Sequence, residues 1–311
     1  MKKLIAMLLA LVMVLSLAAC DSSEPAATDA PAADAPAADA PAATEAATEA
    51  AKAYSEMTID ELKPLIETIT DGKLTMVTSP DFAPYEFYAI AEDGTPSLAG
   101  FDMALAQYIA DYLGLTLEVV PMSFNGIVGE MGAGSADLAI AGLSPDPARM
   151  DAMAFSDIYY AGGQSFVTIA ANADKFPDLA SANTAGISVA AQIGSIQMDL
   201  ANEYSADTEI IPLPKVTDII AELIAGKLDG AYIETAVAES YKVNYPDLHI
   251  VCDVPYDVEG SAVGVIKGND ALLAGVNEAI AAALADGSMD NFVAEANELA
   301  AGNIHEGLLE G

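Results

Sequence analysis

The feature that most constrains the fold is an alternation of strand-like and helix-like apolar segments that runs once, stops and begins again. The first set lies over 74–79, 101–113, 115–120, 125–131 and 138–141. The second follows Gln164, with strands expected over 165–170, 187–191, 210–213 and 231–233, and helices over 196–204, 216–225 and 236–245. Strand and helix in turn imply an α/β chain whose sheets are mainly parallel. A pattern that restarts implies two lobes with a hinge between them, 73–165 and 166–257. A last strand over 262–266 and helices to about Ala300 are expected to return to the first lobe, so that it also takes 258–311. The clearest helix follows Gly100, where Phe101, Leu105, Tyr108, Ile109 and Tyr112 fall at spacings of three and four. That spacing marks one buried face and places its aromatics in the core.

The N-terminus has a different character. Lys2 and Lys3 precede an apolar run from Leu4 to Leu17, closed by Ala18, Ala19 and Cys20. The run is shorter than the roughly twenty residues needed to span a hydrocarbon core. It reads as a signal peptide over 1–19. Leu17-Ala18-Ala19-Cys20 resembles the lipobox of bacterial lipoproteins, which implies cleavage before Cys20 and acylation of its thiol. Two or more acyl chains are enough for stable membrane attachment. From Cys20 to residue 53 the composition falls to Ala, Pro, Asp, Glu and Thr, with Ala-Pro-Ala-Ala-Asp at 30–34 and again at 35–39. Such a segment has little apolar surface to bury and reads as a disordered tether. A short helix over 58–70, within 54–72, is expected to follow, with Thr58 as cap, Glu61 in its first turn and Pro64 weakening its middle.

Charge and cysteines narrow the functional classes. Acidic residues outnumber basic ones 47 to 11. Beyond Lys2 and Lys3 there is no cationic cluster, so a phosphate backbone would be repelled and nucleic acid is excluded as a partner. Cys252 is the other of two cysteines, and with Cys20 acylated it has no intramolecular disulfide partner. It sits in an apolar stretch, 249–254, and is expected to be a buried thiol. His249 and His305 show no metal-ligand spacing, so neither a metal nor a cofactor is expected.

Seven segments appear in one order along the core. They are Ser79-Pro80-Asp81-Phe82-Ala83-Pro84-Tyr85-Glu86-Phe87, Gly100-Phe101-Asp102, Met122-Ser123-Phe124, Ala141-Gly142-Leu143-Ser144 through Pro147-Ala148-Arg149, Phe155-Ser156-Asp157, Gln192-Ile193-Gly194-Ser195, and Asp229 through Glu234. Together they resemble the polar amino-acid branch of the bacterial extracellular solute-binding proteins, family 3, over about 74–300. The resemblance implies a two-lobed type II periplasmic-binding-protein fold that closes on a free L-amino acid. It further implies a monomer held to the membrane by its N-terminal lipid, delivering its ligand to an ABC permease and ATPase.

A free amino acid carries a carboxylate and an ammonium on one carbon, so its site must supply a cation beside an anion. Arg149 suits the first task, because a guanidinium grips a carboxylate with two parallel hydrogen bonds. It is the only arginine in the chain. The resemblance also implies carboxylate contacts from the loops at Ser144 and at Gly194-Ser195-Ile196, the second of which opens a helix whose free amides favour an anion. Ile196 stands where relatives have a small hydroxyl residue. For the ammonium the matching acid is Glu234, where relatives more often have aspartate, aided by the Gly142 carbonyl and the Ser144 hydroxyl. Phe82 and Phe124 match the aromatic walls around the ligand side chain, although core packing is the other reading for both. Ser79 stands where binders of basic amino acids often carry an acid, and Asp81 and Glu86 keep that question open.

Two other classes fit the same scaffold. A dehydratase acting on prephenate or arogenate would need a general acid, for which Asp81, Glu86 and Glu234 are available. A ligand-sensing module would use the same cleft without a transporter.

Overall fold

The computed structural model describes residues 53–91, 93–257 and 260–303. The expected signal peptide, Cys20, the tether to residue 52, and His305 lie outside the described residues. The chain enters through α1, Ile59–Leu62, which Thr58 opens by giving its backbone N–H to Glu61 Oε2 at 2.8 Å. The helix expected over 58–70 ends early, continuing only as one tight turn over Lys63–Leu65. Pro64 has no amide hydrogen to carry the ladder further.

In chain order there follow β1 (Lys73–Thr78), β2 (Asp81–Phe82), β3 (Glu86–Ile90), β4 (Pro96–Ala99), α2 (Phe101–Leu113), β5 (Thr116–Pro121), α3 (Phe124–Gly132), β6 (Leu138–Ala139) and β7 (Met153–Tyr160). After Ala161-Gly162-Gly163 come β8 (Gln164–Ile169), β9 (Ser188–Gln192), α4 (Ile196–Tyr204), β10 (Glu209–Leu213), α5 (Val216–Ile224), β11 (Gly230–Glu234), α6 (Thr235–Asn244) and β12 (Leu248–Asp253). The chain closes with β13 (Ser261–Ile266), α7 (Asp270–Ala285) and α8 (Ser288–Asn303).

These elements build two five-stranded sheets, in the orders β5-β1-β6-β13-β7 and β10-β9-β11-β8-β12, with β2-β3-β4 as a small antiparallel sheet on the first lobe. In the first sheet β1 pairs parallel with β5 and β6, while β13 pairs antiparallel with β6 and β7. In the second, β9 pairs parallel with β10 and β11, while β8 is antiparallel to β11 and β12. Each sheet therefore runs one way except for a single reversed strand, β13 or β8. Both reversed strands are those through which the chain arrives from the other lobe, with no crossover helix to turn it round.

The first passage between lobes is Ala161–Gly163, a few residues upstream of the boundary expected between 165 and 166, because Gln164 already pairs with Glu234 in the second sheet. Strands β7 and β12 were not expected from their sequence, and β3 and β4 are too short and mixed in polarity to announce themselves. Helix α8 touches α2 and α7 of the first lobe and α6 of the second, where Asn244 Nδ2 donates to the Ala300 carbonyl at 3.2 Å. The tail thus packs on both lobes.

Phe101, Leu105 and Ile109 of α2 are fully buried, as their spacing predicts. Tyr108 and Tyr112 are a correction. They are only half-buried, stacked on each other beneath Phe292 of α8, and the Tyr108 hydroxyl reaches Asp286 at 3.1 Å. A phenol needs a polar partner, and the rim of the core supplies one. Cys252 is likewise half-buried, because β12 is an edge strand of its sheet. Among the described residues no helix is long and apolar enough to cross a membrane.

Candidate functional site

The facing edges of the two lobes close on a narrow cavity of about 20 Å³. The first lobe contributes Phe82, Tyr85, Phe124, Gly142, Ser144 and Arg149. The second contributes Gln164, Gln192, Ile196, Gln197 and Glu234, and the passages between lobes add Gly162, Gly260 and Ser261. Both lobes wall the space, so a molecule held there would touch both.

Arg149 follows the Gly142–Ser144 loop and is 7% exposed. Its Nη1 donates to the Ser144 carbonyl at 3.1 Å and its Nη2 to the Gly194 carbonyl at 3.4 Å, the second bond crossing the cleft. The guanidinium carbon lies 5.5 Å from the centre of the Phe124 ring. Among the described residues no carboxylate pairs with it. Burial draws its pKa down, opposed by Tyr256, Asp146 and Asp199. A buried cation without an anion is a costly arrangement that an incoming carboxylate would relieve.

The Gly194 bond brings that guanidinium to the N-terminus of α4. Gly194 takes φ +77°, a left-handed turn that glycine accepts freely. Ser195 then caps the helix, its Oγ donating to the Gln192 carbonyl at 2.7 Å and accepting from Met198 N at 3.3 Å. Ile196 and Gln197 border the cavity, and their first-turn amides have no intrahelical acceptor. They carry the helix's partial positive charge toward the same point as Arg149. Ser195 itself does not border the cavity. Its hydroxyl is spent on the cap and its N–H on the Gln192 carbonyl at 3.3 Å, so it shapes the turn without lining the cavity.

Glu234 ends β11 and caps α6, its Oε2 accepting from Val237 N at 2.8 Å and its Oε1 from Gly163 N at 3.4 Å. Burial pushes its pKa up to about 7, against the pull of the Val237 amide and the Tyr85 hydroxyl beside it. A Cβ on Gly162 would stand 2.9 Å from Oε1 and 3.0 Å from the Tyr85 hydroxyl, so a side chain there would push the Glu234 carboxylate aside. Opposite it, Gly142 takes φ +55° and a Cβ there would meet the Phe82 ring at 2.8 Å. Asp102 fixes that loop, accepting from Gly142 N at 2.9 Å and from the Tyr159 hydroxyl at 2.8 Å.

Phe82 packs on Tyr85 with ring centres 5.3 Å apart, and both border the cavity, so Phe82 serves as wall and as core together. Phe124 opens α3 and presents its ring to Arg149 and the cavity.

Ser79 and Asp81 do not border this cavity. They face a neighbouring groove with Tyr88, Met122 and Lys215. The Asp81 carboxylate is already occupied, by Ser79 Oγ at 2.7 Å, Gln192 Nε2 at 3.0 Å and Val216 N at 2.7 Å. Burial still raises its pKa, against the lowering by Ser79 and Val216. Glu86 is fully buried and does not border the cavity, and burial holds it well above the usual carboxylate range, helped by Asp102 and Asp81.

Sequence reasoning missed Tyr85, Gly162, Gln164, Gln192, Gln197, Gly260 and Ser261 as lining residues. The segments containing Tyr85 and Gln192 were conspicuous, but nothing local signals that Gln164 and Gln197 meet. Among the described residues no group of three or more His, Cys, Asp or Glu could hold a metal ion.

Residues 74–295 match the description "Bacterial extracellular solute-binding proteins, family 3". The chain is 31% identical over 205 residues to the arginine-binding extracellular protein ArtP of Bacillus subtilis (strain 168), covering 64% of this chain and 76% of that one. It is 26% identical over 180 residues to a cyclohexadienyl dehydratase of Pseudomonas aeruginosa, covering 58% and 66%. Among solved structures, the amino acid ABC transporter substrate-binding protein AbpA of Streptococcus pneumoniae, bound to L-arginine, superposes with a TM-score of 0.70 at 30% identity, covering 76% of this chain and 97% of that one.

Proposed function

The chain belongs to the bacterial extracellular solute-binding proteins of family 3, and from that premise we propose that it binds a free, polar L-amino acid between its lobes for an ABC importer. The observation that carries this reading is Arg149, a buried guanidinium with no described carboxylate partner, hydrogen-bonded to the loop that opens α4. A ligand carboxylate fits between the guanidinium and the amides of Ile196 and Gln197. The ammonium then falls to Glu234, with Gly142 and Ser144 at hand on the opposite lobe. Contacts from both lobes stabilise the closed state selectively, which a ligand-driven hinge requires. Relatives and structural neighbours named for amino-acid binding support the same reading.

The importer's permease would accept the closed form. The protein would act outside the cytoplasm as a monomer, attached through acylated Cys20 and its tether. Partition of the full-length chain into detergent, lost in Cys20→Ser, tests the attachment.

A second reading, a dehydratase, is favoured by Glu234, whose pKa of about 7 suits a general acid near neutrality. One panel separates the two. The full-length chain in detergent is melted with each of the twenty L-amino acids, cystine, ornithine and prephenate. Ligand at a hundredfold over its Kd adds about 2.7 kcal/mol of stability. A shift with one or a few L-amino acids supports the receptor, and turnover of prephenate would replace it with the enzyme.

A further inference from the structure

Two charges of the cavity, Arg149 and Glu234, are committed on the amino-acid reading to the ligand's carboxylate and ammonium. What remains along the walls is a set of three glutamines. Gln164, Gln192 and Gln197 are 8%, 3% and 7% exposed, and each borders the cavity. Gln197 Nε2 donates to Gln164 Oε1 at 2.7 Å. Gln192 Nε2 donates to Asp81 Oδ2 at 3.0 Å and to the Pro214 carbonyl at 3.2 Å. These bonds use the donor side of Gln192 and Gln197 and the acceptor side of Gln164. They leave two carbonyl oxygens, the Gln164 NH2 and the second N–H of Gln197 for whatever fills the cavity, and buried polar groups need partners.

We propose that the ligand's side chain ends in a carboxamide, so that glutamine or asparagine is the amino acid this site selects. The proposal rests on the amino-acid reading of the same cleft. A carboxamide carries one acceptor and two donors on adjacent atoms, which meet the free N–H groups and the two free carbonyls. A guanidinium has donors only and leaves the Gln164 NH2 unmatched. It would also be a buried cation with no counter-ion, since Asp81 does not border the cavity and Glu234 serves the ammonium. A side-chain carboxylate fares no better, because Lys215 borders the neighbouring groove and Arg149 serves the backbone carboxylate. The preference thus departs from that of the relatives named for arginine.

The test is calorimetric titration of the full-length chain with L-glutamine, L-asparagine, L-arginine, L-glutamate and L-alanine. The expected result is that glutamine or asparagine binds at least tenfold more tightly than the other three. Arginine or glutamate binding as tightly overturns the carboxamide assignment and leaves the amino-acid receptor standing, whereas no heat with any L-amino acid overturns both. Gln197→Met removes one carbonyl while leaving both Asp81 ties between the lobes in place, and it should lower the affinity for glutamine relative to alanine, which reports the shared backbone grip, at least tenfold. An equal loss for both ligands overturns the assignment.

Discussion

Asp81 of the first lobe accepts the backbone N–H of Val216, the first residue of α5 in the second lobe, at 2.7 Å. The same carboxylate oxygen takes Gln192 Nε2, so one buried group ties the lobes at two points beside the cavity. Hydrogen bonds to a charged acceptor contribute about 1.5–3 kcal/mol each. Asp81→Ala should therefore favour the open form and weaken ligand at least tenfold without unfolding either lobe. Titration paired with a circular-dichroism melt checks this, and unchanged affinity would remove the latch.

Arg149 has opposite effects on folding and on binding. Replacing it with Met deletes a buried, unpaired cation, so the melting temperature without ligand should hold or rise. The ligand-induced shift should vanish. Arg149→Lys keeps the charge but loses the forked geometry, and it should weaken ligand by about 1–3 kcal/mol.

Glu234 sets the pH dependence. Its pKa of about 7 in the folded protein exceeds the usual carboxylate value, so its protonation stabilises the fold fully at acid pH. That contribution is lost as pH rises through 7. Ligand binding has the opposite sign, because an ammonium needs the ionised acid. Affinity should be level above pH 8 and fall about tenfold between pH 8 and pH 6. Titrations at both values, repeated on Glu234→Gln, check the sign: the variant should bind weakly and without this slope.

Gly142→Ala forces a side chain into φ +55° and against the Phe82 ring. Left-handed strain alone costs about 1–3 kcal/mol. Urea unfolding should show a loss of at least that size, with weaker ligand binding because Phe82 and the loop move together.

The fold was legible wherever an element buries one face by itself. The helix expected over 196–204 is α4 to the residue, since Ser195 and Gly194 mark its start and its apolar spacing its length. Arg149 was legible for a chemical reason, being the single residue able to fork onto a carboxylate. The bond from Val216 to Asp81 was not legible, because the two residues lie 135 positions apart. Gln164 and Gln197 were silent for the same reason, each looking like an ordinary polar residue until the lobes meet. Tyr108 follows the helical spacing of a core residue, but spacing says nothing about a hydroxyl that must reach Asp286.

The reversed strand β13 has a consequence for how the chain is born. It lies between β6 and β7, yet it leaves the ribosome about a hundred residues after β7. Until then the first sheet lacks an interior strand, and the edges of β6 and β7 stay open to wrong partners. The second sheet is complete once Asp253 has emerged. The lobe synthesised second is therefore the one able to finish first, and a truncation before Ser261 should yield one folded lobe and one needing a chaperone.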